Sequence, residues 1–147
     1  MRKLVIPPTF LLISFILIVL FYFLFPEYNL IPFPYNLGGL LIVFLGFSIM
    51  GKSRDLFKKH QTTLKYEKSS YLVTEGVFSK TRNPMYVGMI LLLLGIGITF
   101  GNIFSMLAVI VFLLPVHSIC IPKEEKWMKE TFGKDYQVYK NKVRRWV

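Results

Sequence analysis

Four stretches of the chain, Thr9–Phe25, Asn36–Gly51, Met85–Phe100 and Ile103–Ile121, contain no Asp, Glu, Lys or Arg. A run of 16 to 19 apolar residues is about what a helix needs to cross the hydrocarbon of a bilayer. A hydrophobic share of 54% in 147 residues points the same way, because a soluble domain of this size has too little interior for it. The expected architecture is all-α and integral to a membrane, in one domain. Its spans are expected at about 9–25, 36–52, 85–100 and 103–121, with a loop over 53–84 and an amphipathic helical tail over 122–147.

The net charge of +10 would suit a nucleic-acid partner if the cations formed one patch. They do not. Two of the 18, Arg2 and Lys3, precede the first apolar run. Eight more lie between Lys52 and Arg82, and the last eight between Lys123 and Arg145. The other two connectors, Glu27–Tyr35 and Gly101-Asn102, carry none. Four spans with both termini cytoplasmic satisfy the positive-inside rule, and the basic balance is then a matter of topology, with no nucleic acid required.

Local signals refine this frame. Pro7-Pro8 is expected to break the chain just before the first run. That run has a cationic start like a secretory leader, but it ends in Phe25-Pro26 without a small-residue cleavage site, so it is expected to be retained. Gly38, Gly39, Gly46 and Gly51 in the second run, and Gly88, Gly95 and Gly97 in the third, fit close helix packing; those of the second could also serve a homodimer. Ser53–His60 can prolong the second helix along the membrane surface, and Gln61–Ser70 is left as an ordered loop. Gly101-Asn102 demands a tight hairpin between the last two spans. Pro122 is expected to open the tail, Gly133 to break it into two short helices, and the whole to fold back over the bundle. Cys120 is the lone cysteine and His60 and His117 are far apart, so no metal site is expected.

The chemistry-bearing residues cluster at the polar ends of the last two spans. Gly76 marks a turn, Asn83 is placed to cap the third span, and Pro84 suits a first helical position. The hairpin returns Glu124-Glu125, first-turn acids of the tail helix, beside Arg82, Asn83 and Tyr86. An acid pair facing a cation, an amide and a phenol suits a zwitterionic ligand with a further positive charge. Spacing alone also allows a plain capped helix start, and for the acid pair it favours two solvated helix-start acids.

Two motifs shift that balance. Leu72-Val73-Thr74-Glu75-Gly76-Val77-Phe78, followed by Arg82-Asn83-Pro84-Met85-Tyr86-Val87-Gly88, resembles the signature of the isoprenylcysteine carboxyl methyltransferase and phospholipid methyltransferase superfamily. Glu124-Glu125, then Gly133, Tyr136, Tyr139, Val143 and Arg145, are similar to its second half in order and spacing. The likeness covers about half of the chain, and the first two spans share only hydropathy. It implies an S-adenosylmethionine-dependent methyltransferase without a Rossmann domain, facing the cytoplasm of a bacterial or archaeal plasma membrane.

The resemblance also implies roles. Leu72, Val73, Phe78, Asn83, Pro84, Met85, Tyr86 and Glu124 would contact the cofactor, and Glu124, Glu125 and Arg82 would serve catalysis. Phe78 stands where tyrosine is common, and Asn83 where many members have histidine. Cys120 stands where prenylcysteine-directed members carry an arginine. That last departure bears on the acceptor, which is expected to be lipophilic or small: an isoprenylcysteine-like carboxylate, a phospholipid amine or a thiol. It would enter from the bilayer between the third and fourth spans. A membrane scaffold without activity is the remaining alternative.

Overall fold

The computed structural model describes residues 7–63 and 68–147. Arg2, Lys3, Lys65 and the loop stretch 64–67 lie outside the described residues. Helix α1 is Pro7–Leu24, α2 Gly38–Lys59 and α3 Pro84–Phe100. The remainder runs as α4 (Ile103–Leu107), α5 (Val109–Pro115), a π-helical turn (Val116–Cys120) and α6 (Ile121–Lys142). Short 3-10 turns cover Pro26–Tyr28, Tyr35–Leu37 and Gly76–Ser79. Apart from one isolated bridge between Asn29 and Asn102, the ordered elements among the described residues are helical.

Three of these stretches are long and apolar enough to cross a membrane: Pro7–Leu24, Tyr35–Lys59 and the continuous Ile103–Lys142. The apolar α3 is shorter. Their outward residues are Leu12, Phe15, Phe23, Leu41, Phe44, Leu107 and Leu114, exposed side chains that only a lipid solvent would favour. The chain is an integral membrane protein.

Several boundaries depart from expectation, each for a local reason. Pro7 and Pro8 lie within α1, whose described residues begin at Pro7; the chain ahead of them lies outside the described residues. The second helix enters through the 3-10 turn at Tyr35 and starts at Gly38, then continues through Ser53 to Lys59 as anticipated. Pro122 does not open a separate tail. The π turn before it bonds the Ile121 N–H to the Val116 carbonyl, so the helix passes through both Pro115 and Pro122 without stopping. Glu124 and Glu125 therefore do not sit at a free helix N-terminus. The break falls at Gly133, whose φ of 52° and ψ of −118° are accessible to glycine at little cost.

Helices α2 and α3 make the tightest pair. A Cβ on Gly46 would lie 2.7 Å from the Gly88 carbonyl oxygen, and one on Gly95 would lie 2.7 Å from the Gly39 carbonyl oxygen. Two glycines seven residues apart on each helix thus face one another antiparallel. Between lipid-immersed helices apolar burial drives little, and close backbone approach supplies the attraction instead. Gly88 and Gly95 are consequently committed to α2 rather than lining a passage between the last two spans. Gly97 takes the α4 side, against Met106. Gly38 and Gly51 have open space around them. The core between α1, α3 and α5 holds Ile18, Leu93, Phe112, Val116 and Ile121, with Tyr86 at its polar end.

The end of the bundle remote from the motifs is closed by polar bonds. Gly101 (φ 71°) turns α3 into α4, and its carbonyl accepts from the N–H groups of Leu30 and Ile31 at 2.9 and 3.2 Å. Asn102 is wholly buried. Its amide donates to the Phe25 carbonyl and to Asn29 Oδ1, both at 2.8 Å, while its own Oδ1 accepts from the Ser105 N–H at 3.1 Å. Ser105 Oγ donates to the Ile18 carbonyl at 2.7 Å. The Asn102 side chain thus ties the α1–α2 connector to the α3–α4 turn.

Candidate functional site

The site forms where Gly76–Asn83, the start of α3, α6 and the chain's last residues converge. Gly76 has φ 60° and lies against Leu56, which fits the expected turn. The 3-10 turn that follows buries Phe78, whose ring meets Phe57 edge-on at 5.2 Å. The Phe78 carbonyl accepts from Tyr139 Oη at 2.7 Å. Val73 is buried and Leu72 half-buried.

Asn83 holds the N-cap position of α3, but its side chain does not cap. Its amide donates instead to the Arg145 carbonyl at 2.9 Å. Thr81 Oγ1 donates to the same carbonyl at 3.0 Å, and the Arg82 N–H donates to the Arg144 carbonyl at 3.0 Å. Pro84 is buried and Met85 half-buried, so the entry to α3 is packed as well as bonded.

Two carboxylates that are neighbours in sequence have unlike surroundings. Tyr86 donates its hydroxyl to Glu124 Oε1, joining the first turns of α3 and α6. Burial pushes the Glu124 carboxyl up to about 7; the Tyr86 bond opposes the rise and the charge of Glu125 adds to it. Glu124 belongs to the continuous helix Ile103–Lys142 but lies beyond its apolar part, which ends at Ile121.

Glu125 gathers three cations. Arg145 donates bidentately, Nε to Oε1 and Nη2 to Oε2, both at 2.9 Å. Arg82 Nη1 lies 3.2 Å from Oε1, and Lys140 Nζ lies 3.5 Å from Oε2. Burial alone would raise the Glu125 carboxyl, but the Arg145 bonds and the surrounding charges outweigh it and hold it below the ordinary range. Arg82 also reaches Tyr136 Oη at 3.4 Å, while its buried Nε has no hydrogen-bond partner among the described residues.

Sequence reasoning named Arg82, Asn83, Pro84, Met85, Tyr86, Glu124 and Glu125, and the structure brings them together. It assigned no role to Arg145, the strongest partner of Glu125. The glycine at 133, between Glu125 and Arg145, was the available signal, since a reversal there returns the chain end to the acid pair. Trp146 was also missed. Its Nε1 donates to His117 Nδ1 at 3.1 Å, and the two rings are stacked at 6.0 Å, so the final residues close over the π turn.

The comparisons with known proteins follow the same residues. The family model described as phospholipid methyltransferase matches residues 34–135. An uncharacterized protein of Haemophilus influenzae is 40% identical over 63 residues, which is its full length and 43% of this chain. The protein-S-isoprenylcysteine O-methyltransferase of Saccharomyces cerevisiae is 32% identical over 131 residues, covering 82% of this chain and 54% of that protein. That of Schizosaccharomyces pombe is 34% identical over 84 residues, covering 57% of this chain and 36% of that protein. The chain thus spans about a third to a half of these two named relatives. No solved structure matches it. Since the family match runs from the entry to α2 into α6 and takes in the Arg82–Tyr86 segment and the Glu124–Glu125 pair, the chain belongs to the phospholipid methyltransferase family.

Proposed function

We propose that the chain is an S-adenosylmethionine-dependent methyltransferase whose site opens on the cytoplasmic face of a four-span bundle. The observation that carries this is the Tyr86–Glu124 pair beside the Arg82–Glu125–Arg145 cluster, at the mouth of apolar helices. Family membership supports the reaction class. The cation distribution supports cytoplasmic termini. At about 1.5 Å per residue, α3 measures about 26 Å, close enough to the hydrocarbon thickness for polar ends at Asn83 and Asn102 to complete a fourth span.

The residues fit this cofactor by their chemistry. Glu124 would hold an ammonium or sulfonium charge, and the Tyr86 ring suits a cationic methyl donor. Arg82, with its buried Nε lacking a partner among the described residues, suits a carboxylate. Leu72, Val73, Phe78, Asn83, Pro84 and Met85 would wall the remainder. When bound, the cofactor supplies an already electrophilic methyl group, so the chain's task is alignment and exclusion of water. Tyr86 fixes one oxygen of Glu124, and the other can face an acceptor. With a pKa of about 7, Glu124 can take a proton from an amine or thiol acceptor at neutral pH, whereas a carboxylate acceptor needs no base.

The named relatives favour a lipophilic carboxylate as first acceptor to test, and the family description favours a phospholipid amine next. Cys120 offers no cation for a carboxylate at its position, so the amine and thiol acceptors stay in the screen. Calorimetry on the detergent-purified chain tests the cofactor. Micromolar binding of S-adenosylmethionine is expected, weakened at least tenfold in Glu124→Gln; no binding by folded wild type would reduce the chain to a scaffold.

A further inference from the structure

We infer that the chain carries a second lipid-binding place, a phospholipid headgroup groove at the polar end of α2 that shares no residue with the Arg82–Glu125 cluster. The groove has a volume of about 420 Å³ and is lined by Lys52, Asp55, Leu56, Lys59, Gly76 and Val77. Its floor is apolar, formed by Leu56 and Val77, and Gly76 lets the chain pass close to Leu56 because any larger residue there would strike its methyl group. Its rim is charged. Lys52 and Lys59 stand seven residues apart, two turns along one face of the helix.

The same face continues into the bilayer. Leu45 lies seven residues before Lys52 and Leu41 four before Leu45, and they are 54% and 70% exposed. One stripe of α2 therefore changes from lipid-facing leucine to lysine where the apolar run ends, at Gly51. A molecule matching that stripe has acyl chains at one end and a negative group at the other. Lys59 is partly satisfied by Glu75, at 2.8 Å. Lys52 has no ion pair among the described residues, so it is the cation available to a phosphodiester. Asp55 on the same rim would accept a hydrogen bond from a headgroup hydroxyl, as phosphatidylglycerol carries.

Native mass spectrometry of the full chain, titrated with phosphatidylglycerol in detergent, tests this. One retained phospholipid is expected for wild type, held at least tenfold more weakly in Lys52→Glu. Arg54→Glu makes the same change of charge at an exposed residue on the other side of α2 and is expected to bind as wild type does. Should Lys52→Glu fold poorly, Lys52→Gln is expected to show a smaller loss. Diacylglycerol, which lacks the phosphate, and glycerol phosphate, which lacks the chains, are each expected to bind at least tenfold more weakly. Equal retention by wild type and the Lys52 variants would leave annular lipid only and overturn the inference. Diacylglycerol bound as tightly would remove the phosphate from it, and glycerol phosphate bound as tightly would remove the lipid.

Discussion

Tyr86 and Glu124 stand 38 positions apart and share a hydrogen bond that joins the first turn of α3 to the first turn of α6. The bond is made where the helices leave the apolar layer, and it gives the half-buried carboxyl a neutral donor. Burial still wins, and the Glu124 carboxyl rises to about 7. A carboxyl whose folded value exceeds its ordinary 4.5 takes up a proton on folding between those two values. Its contribution to stability is therefore complete below about 4.5 and drains away as pH climbs through about 7.

Thermal melts in detergent across that range measure this directly. Glu124→Gln is expected to melt above wild type at about pH 8 and level with it near pH 5. Tyr86→Phe should behave oppositely, losing most at about pH 8, where the ionised carboxylate is left without its donor. A melt of either variant that tracked wild type at all pH values would contradict the assigned burial.

Glu125 titrates with the opposite sense. Its folded value is depressed, so its contribution is present above the ordinary carboxylate value and is lost as pH falls through the lowered one. Glu125→Ala leaves Arg82 and Arg145 facing each other without a counter-charge, at a cost of about 3 kcal/mol. The end of the chain should detach with it. Faster hydrogen exchange over Arg144–Trp146 in this variant, with α1 to α3 unchanged, is the expected signature.

The glycines at the α2–α3 seam supply a test free of chemistry. Gly46→Leu should prevent the two helices from meeting and abolish recovery of folded protein, because its side chain would enter the Gly88 backbone. Gly51→Leu, with nothing within 4 Å of its Cβ, should express and melt as wild type does. Gel-filtration yield separates the two.

At the far end, Asn102→Ala would strip the Phe25 carbonyl, Asn29 and the Ser105 N–H of a partner in one step. The expected cost is about 2–3 kcal/mol, read as a lower melting temperature, with S-adenosylmethionine affinity per folded molecule little changed.

Much of this was legible in the chain itself. Runs without charge located the helices, Gly101-Asn102 located the hairpin, and Arg82, Tyr86, Glu124 and Glu125 were named together because that hairpin has to return them to one place. The failures have a common cause. Asn83 has the right residue type for a cap, yet its amide found the Arg145 carbonyl, a partner 62 residues away that no local preference contains. Pro122 carries a breaking tendency that its place after a π turn cancelled. Nor could spacing divide the labour within Glu124-Glu125, since two of the three cations around Glu125, Lys140 and Arg145, reach it only after the chain reverses at Gly133.

The π turn over Val116–Cys120 has a consequence for the phase of the helix beyond it. Such a turn holds about one residue more than an α turn, so every later side chain lags by roughly 100° relative to an uninterrupted helix. Straightened, the same sequence would bring Lys123 round to Tyr86 and carry both glutamates past their partners. The single surplus residue decides whether the phenol of α3 meets an acid or a base.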